Sequence, residues 1–344
     1  MNASLRERLA ASFNLLPAAV PDTLVSVLFG RLLVAALKLG VFEALSGDPR
    51  SIEELSGNLK IPERSAALIA ESLEAGGYLR RKGKRYGLSV QSKKWLLKDS
   101  AFSIGNFIEY IGLLHERWST LEETLRAGKP PRSYVESFGA NEWRVYTLGM
   151  KDLARLTLPR IRHRFVLPAS SRTLLDVGGS HGLYSIALCR RYPKLSATIA
   201  DFPQVLAHTR NIVDESGLGK RITLLPCDVT RSLPRTGSFD AAIAFNIAHG
   251  FDAETNRSLF ASIAAALRPA GVLYVLDQVR DDRRRGMSRM LPLMVGVNLM
   301  NETGGTTYTR EELESFIRGA HFGPVRPAAR PLPGVSLMSA VKAP

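Results

Sequence analysis

The chain changes character at TLLDVGGSHG, residues 173–182, where a short apolar strand runs into a glycine-rich turn. Before this stretch, apolar residues recur mainly at helical spacing, whereas after it short apolar runs alternate with helical segments. Further apolar strands are predicted at 195–200, 222–225, 241–245, 272–276 and 335–341. Strands that alternate with helices in this way predict a doubly wound, mostly parallel α/β sheet.

The first hundred residues predict a small and mostly helical domain. Leu32 and Ala36 share one helix face, and further helices are expected after Ser51 and over 65–75. Residues 78–88 predict a β-hairpin around a Lys-Gly-Lys turn. This order of helices and hairpin is typical of a winged helix.

We divide the chain into three parts on these patterns. The predicted parts are a winged-helix-like dimerisation domain over 1–100, a helical bridge over 101–165 and the α/β domain over 166–344. Helices in the bridge are expected over 102–114, 118–127 and 143–156.

Composition narrows the class of protein. With 45% hydrophobic and 23% charged residues among 344, the chain is expected to be a soluble globular protein. Two cysteines, Cys189 and Cys227, are too few for a disulfide framework. The sequence has no Cys/His cluster, so we expect no structural zinc site. The most apolar stretch, 24–45, contains charged residues, so we expect no membrane span. The N-terminal residues lack a basic region followed by an apolar one, so we expect no signal peptide and a cytoplasmic protein.

A formal net charge of +14 raises the question of nucleic-acid binding. The positive excess is spread along the chain in proportion to length. In the winged helix, the helix that would read base edges offers Arg64 beside Glu63 and Glu71, and such acids repel phosphate. The basic hairpin tip over 80–85 favours a DNA-binding regulator, but we interpret the domain as a dimerisation and packing module without a nucleic-acid partner.

Four polar features follow the predicted strands at their carboxyl ends, where open α/β sheets bind ligands. They are the turn of residues 176–182, Asp201, Asp228 and His249. The turn reads Asp-Val-Gly-Gly-Ser-His-Gly and does not fit the G-x-G-x-x-G pattern of a dinucleotide site. A cationic nucleoside without phosphates, S-adenosylmethionine, suits the acids Asp176, Asp201 and Asp228 better than a pyrophosphate does.

Taken in order, these motifs resemble class I S-adenosylmethionine-dependent methyltransferases. The whole chain resembles the small-molecule O-methyltransferase family that includes caffeate, hydroxyindole and bacterial polyketide-tailoring enzymes. The resemblance extends over residues 20–344 and is carried by ALKLGVFEAL (36–45), LLDVGGSHG (174–182), DFPQV (201–205), CDV (227–229), NIAHGFD (246–252), LRPAGVLYVLD (267–277) and GGTTYTREEL (304–313).

The resemblance implies a seven-stranded sheet, S-adenosylmethionine as methyl donor, S-adenosylhomocysteine as product, and no metal. It also implies a homodimer formed through the N-terminal domain. The apolar residues between Leu24 and Phe42 independently exceed what one helix face buries in a single chain. We therefore expect a homodimer through residues 1–110.

The resemblance also assigns site residues. The implied cofactor contacts are Gly178, Asp201, Phe202, Asp228, Val229 and Phe245. The implied general base is His249, and Asp277 stands at the position of a family acid that flanks this histidine. Aromatic and methionine side chains are expected to wall the pocket of a flat aromatic substrate, namely Tyr110, Trp143, Tyr146, Met150, Met290 and Met294.

Three positions depart from the family pattern. Ser180 replaces the third glycine of the turn, Gly250 replaces an aspartate after the histidine, and Thr307 replaces a glutamate. The expected reaction is methyl transfer to a hydroxyl that His249 would deprotonate. Because nitrogen and activated carbon need less help from a base, an N- or C-methyltransferase stays open as an alternative, as does non-methylating use of the same cofactor.

Overall fold

The computed structural model describes residues 19–234 and 237–344. The chain falls into two compact units that divide between His115 and Glu116. This division lies inside the segment 101–165, and the three-part division stays a prediction. Residues 1–18 of the predicted dimerisation segment lie outside the described residues.

The first unit is a helical domain with one β-hairpin. Its elements are a π-helical turn Pro21–Val25, α1 Ser26–Lys38, α2 Val41–Ala44, α3 Ile52–Leu59, α4 Glu63–Ala75, β1 Leu79–Lys82, β2 Arg85–Leu88, α5 Val90–Trp95 and α6 Gly105–Arg117, whose last two residues belong to the second unit. The two strands pair antiparallel from Leu79 opposite Leu88 to Lys82 opposite Arg85. The predicted order of helices and hairpin is confirmed.

The second unit carries the α/β domain. Its elements are a 3₁₀ turn Trp118–Thr120, α7 Leu121–Ala127, α8 Tyr134–Ser137, α9 Ala140–Ile161, β3 Thr173–Val177, α10 Leu183–Arg191, β4 Ser196–Asp201, α11 Pro203–Glu215, β5 Ile222–Pro226, β6 Phe239–Phe245, a 3₁₀ turn Ala248–Gly250, α12 Ala253–Ala266, β7 Leu267–Arg280, α13 Met287–Glu302, β8 Tyr308–Thr309, α14 Arg310–Gly319, β9 Arg326–Ala329 and β10 Val335–Val341. The bridge helices differ most from prediction at their ends, because α9 begins before Trp143 and continues to Ile161 through Pro159.

The sheet follows the path β5-β4-β3-β6-β7-β10-β9, and the two-residue strand β8 pairs with β7. The strands from β5 to β7 along this path are parallel, whereas β10 runs antiparallel to both of its neighbours. The predicted doubly wound, mostly parallel sheet is confirmed, with β8 added to the seven strands of the path. Because the chain order reverses between β3 and β6, a ligand crevice is expected at the carboxyl ends of these two strands.

Apolar side chains fill both faces of the sheet. On one face Val177 and Ala244 belong to the core that includes Phe260, and on the other Leu174 and Ile243 belong to the core that includes Leu188. Successive side chains of a strand point to opposite faces, so a strand buried on both sides is mostly apolar. Among the residues that the structure describes, no helix is both long and apolar enough to cross a bilayer.

Candidate active site

The glycine-rich turn between β3 and α10 packs so closely that side chains would not fit. Gly178 has a φ of +64°, and a Cβ there would lie 2.6 Å from Cδ1 of Ile247. A Cβ on Gly179 would lie 2.5 Å from the carboxyl carbon of Asp176. The amide of Gly178 donates to the carbonyl of Ala200 at the end of β4 (2.8 Å), which ties the turn to that strand. Glycine is therefore required here by conformation and by packing.

Two buried carboxyl groups lie beside this turn. Asp201 Oδ2 accepts a hydrogen bond from Ser180 N (2.9 Å), and Asp201 Oδ1 accepts one from Phe202 N (2.7 Å). Asp176 Oδ2 accepts a hydrogen bond from the hydroxyl of Ser185 (2.6 Å). Burial raises the pKa of Asp201 to about 6 and that of Asp176 to about 7. The site thus holds acids that burial makes costly to ionise.

This arrangement fits a nucleoside cofactor. Each carboxylate oxygen of Asp201 accepts one amide donor and keeps a further lone pair, as vicinal ribose hydroxyls would need. In the described part of the chain, no Lys, Arg or His forms an ion pair with Asp201 or Asp176. Because the buried carboxylates of Asp176 and Asp201 would repel a pyrophosphate, the charges at this turn favour a nucleoside without phosphates.

The other predicted cofactor residues differ in their surroundings. Asp228 Oδ1 accepts from both N and Oγ1 of Thr230, and its Oδ2 lies 3.3 Å from Arg231 Nε. Val229 is buried, and the Phe202 side chain is half-buried directly after Asp201. The ring of Phe245 packs in the core, with centroids 4.7 Å from Tyr184 and 5.2 Å from Phe165. Their roles in cofactor binding remain predictions.

His249 lies in the 3₁₀ turn after β6 and pairs with Asp277 of β7. The Nδ1 of His249 is 2.5 Å from Asp277 Oδ1, and the His249 amide donates to Asp277 Oδ2 (3.3 Å). Asp277 is 1% exposed, and its Oδ1 also accepts from Gln278 N (2.7 Å). A carboxylate only accepts hydrogen bonds, so Nδ1 is the donor in this pair, and in the tautomer with its proton on Nδ1 the Nε2 atom is an acceptor.

The two positions where family acids are missing have different surroundings. A Cβ on Gly250 would meet no atom within 4 Å. Thr307 is fully buried, and its hydroxyl donates to the carbonyl of Pro292 in α13 (3.0 Å). The neighbouring amide of Thr306 donates to the carbonyl of His249 (2.9 Å), and a Cβ on Gly305 would lie 2.3 Å from that same oxygen. The loop that lost its glutamate thus still supports the histidine turn, through its backbone.

An aromatic cluster stands next to Asp201. Trp143 is 2% exposed, and its ring centroid lies 5.8 Å from that of Tyr146 and 6.4 Å from that of Phe202. Tyr134, which sequence reasoning missed, packs against both Trp143 and Tyr146. Burial, together with the charge of Asp201, raises the pKa of Tyr146. Tyr146 therefore keeps its phenolic proton at neutral pH.

Of the remaining predicted substrate residues, Met150, Met290 and Met294 lie in the second unit and Tyr110 lies in the first. Met150 is half-buried on α9, whereas Met290 and Met294 of α13 are 55% and 40% exposed. Tyr110 is buried and belongs to the first unit. Their contact with a substrate stays a prediction.

A mostly parallel sheet with buried acids at its glycine turn and a His–Asp pair after β6 defines a class I, S-adenosylmethionine-dependent methyltransferase. A family model described as an O-methyltransferase domain matches residues 118–323, more than half of the chain. The chain belongs to this family and is an S-adenosylmethionine-dependent O-methyltransferase.

Known relatives span nearly the whole chain. The 3-hydroxy-5-methyl-1-naphthoate 3-O-methyltransferase of Streptomyces sahachiroi is 26% identical over 336 residues, covering 95% of this chain and 96% of the relative. The tetracenomycin polyketide synthesis 8-O-methyl transferase TcmO of Streptomyces glaucescens is 27% identical and covers 87% and 89%. The structure of human N-acetylserotonin methyltransferase in complex with S-adenosylmethionine matches with a TM-score of 0.82 at 19% identity, covering 100% and 99%.

Proposed function

We propose that this enzyme transfers a methyl group from S-adenosylmethionine to a hydroxyl of a small aromatic or polyketide-like metabolite, with His249 as general base. The observation that carries the proposal is the pair formed by His249 and Asp277, which leaves Nε2 of the ring free to accept a proton. The naphthoate and tetracenomycin enzymes among the relatives support a substrate of fused aromatic rings.

Bound S-adenosylmethionine would supply the methyl group on a sulfonium, which reacts with a nucleophile aligned behind the methyl carbon. The protein contributes alignment and removal of a proton. Asp201 would accept the ribose hydroxyls, and the turn at Gly178 would let the backbone approach the cofactor. The other residues proposed to contact the cofactor are Phe202, Asp228, Val229 and Phe245.

The aromatic cluster supports a flat acceptor beside this site. Tyr146 keeps its phenolic proton, because burial and the negative charge of Asp201 both raise its pKa. We assign Trp143, Tyr146 and Met150 to the acceptor pocket, because all three lie on α9. The ring of Trp143 packs against those of Phe202 and Tyr146. Met290 and Met294 are proposed as further wall residues, since thioether groups adapt to apolar rings.

The acceptor atom is tested by isotope labelling. The purified enzyme is incubated with S-adenosylmethionine carrying a CD₃ group and with hydroxynaphthoic acids, and in parallel with the matched aminonaphthoic acids. We expect the label on the oxygen of a hydroxyl acceptor, identified by mass spectrometry. Label on amino acceptors alone would assign the enzyme to the N-methylating alternative and contradict the base role of His249.

We further propose a homodimer formed through residues 1–110. In the first unit, the turn Pro21–Val25 and helix α1 expose Leu24, Val27 and Leu28 by 55%, 53% and 60%. Contiguous exposed apolar residues usually mark an interface, and twofold dimers are the commonest assembly. Light scattering at micromolar concentration should give twice the chain mass of 37.7 kDa. A mass of one chain would contradict this.

A further inference from the structure

We propose that Asn256 is a positioning residue that fixes the turn carrying His249; the proposal rests on the proposed function of His249 as the base. Asn256 lies on α12, is fully buried, and donates from Nδ2 to the carbonyl of Ala248 (2.9 Å) and to that of Phe251 (3.3 Å). One side chain thus holds the backbone on both sides of the histidine.

The turn depends on such outside support. Its own hydrogen bonds run from Gly250 N to Ile247 O (3.1 Å) and from Phe251 N to Ala248 O, and the second is long at 3.3 Å. The hydroxyl of Tyr308 adds a donor to the Phe251 carbonyl (2.7 Å). Asn256 therefore belongs to a set of donors that fixes this turn from neighbouring elements.

The polar side chain of Asn256 indicates that its Nδ2 donor is needed to hold the turn. Its Oδ1 is buried and accepts no hydrogen bond from the described residues. A buried acceptor without a hydrogen-bond partner lowers the stability of the folded protein. An apolar side chain would therefore be more favourable at this position if its only role were to fill space in the core. With acids absent at Gly250 and Thr307, the orientation of the ring rests on Asp277 and on the placement of the turn. Methyl transfer needs alignment of the reacting atoms, so a small displacement of His249 slows it strongly.

The test compares Asn256→Leu in the wild-type enzyme and in the His249→Ala enzyme, using the acceptor found by labelling. We expect kcat to fall at least about tenfold in the first background, with KM and the Kd for S-adenosylhomocysteine within about twofold. In the His249→Ala background, we expect the same substitution to change kcat by less than about twofold, because the group through which Asn256 acts is already absent.

Ser92→Ala is the matched control. The Ser92 hydroxyl is buried and donates to a backbone carbonyl, that of Tyr78 (2.6 Å), in the unit that lacks His249. Its loss should lower stability and leave kcat unchanged. Asn256→Ala, which introduces no larger side chain, gives the same comparison if the leucine variant does not fold.

A second readout needs no acceptor. The protein is labelled with ¹⁵N-histidine, and the Nδ1–H signal of His249 in the NMR spectrum is assigned by its loss in His249→Ala. This signal should shift or broaden in Asn256→Leu but not in Ser92→Ala. Full activity of His249→Ala would overturn the proposed function itself. If His249→Ala is impaired, two results would overturn only the role of Asn256. One is an unchanged NMR signal and kcat in the Asn256 variants, and the other is an equal loss of kcat in the wild-type and His249→Ala backgrounds.

Discussion

His249→Ala is expected to lower kcat by about 10²–10⁴, the usual scale for a positioned general base. The Nε2 of this ring is the acceptor that the pair with Asp277 leaves available. An acceptor hydroxyl attacks the methyl carbon better as its proton leaves, and no other imidazole lies in the turn after β6. Steady-state kinetics with the acceptor identified by the labelling experiment measure the effect. The Kd for S-adenosylhomocysteine, measured by calorimetry, should stay near the wild-type value.

Asp277→Asn should lower kcat on a similar scale, about 10²–10⁴. An asparagine amide can donate to Nδ1, which would favour the tautomer that carries its proton on Nε2 and cannot accept another. Because His249 and Asp277 act as one unit, the double variant should be little worse than either single variant. Multiplicative losses, or full activity of His249→Ala, would contradict the pair as the catalytic unit.

Asp201→Ala is expected to weaken cofactor binding by at least about tenfold. Hydrogen bonds to a charged group contribute about 1.5–3 kcal/mol, and each 1.4 kcal/mol is about tenfold in Kd. Asp201→Asn is informative beside it, because it retains one acceptor for the amides of Ser180 and Phe202. Calorimetric titration with S-adenosylhomocysteine measures both variants.

Asp240→Asn is the matched control for Asp201. Asp240 also accepts two backbone amides, those of Arg172 and Thr173, but lies near the start of β6 at the opposite end of the sheet. This variant should lose stability and keep its affinity for S-adenosylhomocysteine. Unchanged affinity in Asp201→Ala would contradict the assignment of the ribose site.

The same carboxyl group predicts a pH dependence of cofactor binding. Burial raises the pKa of Asp201 from its ordinary value of 3.8 to about 6, so the ligand-free folded protein holds this proton more tightly than the unfolded chain. Its contribution to stability therefore falls as the pH rises through this range. Ribose hydroxyls donate to the carboxylate and favour its charged form. Affinity should fall as the pH drops through about 6 in the wild type, and this step should vanish in Asp201→Asn.

Sequence patterns predicted the elements that have a strong local signal. Strand β10 has its predicted bounds, because an apolar run with clear ends specifies it. Strand β9 was missed, since Arg-Pro-Ala-Ala at the edge of the sheet shows no alternation of apolar and polar residues. Helix α14 was missed although its capping box, Thr309 with Glu312, is a readable start signal.

The His249–Asp277 pair shows how a distant pairing follows from topology. The parallel register sets Phe245 of β6 beside Leu276 of β7. Residues that follow these two positions therefore meet at the carboxyl edge of the sheet, and the resemblance indicated which of them to examine. The hydrogen bonds by which Asn256 and Thr306 support the histidine turn could not be predicted. They go to backbone carbonyls, which every residue has, so no residue type marks them in the sequence.

The central claim is that the chemical step is methyl transfer to a hydroxyl assisted by His249. Single-turnover transfer of a CD₃ group from preloaded enzyme to the hydroxynaphthoic acceptor isolates this step from product release. We expect transfer to be at least about a hundredfold slower in His249→Ala than in the wild type. Equal rates in the two enzymes would contradict it.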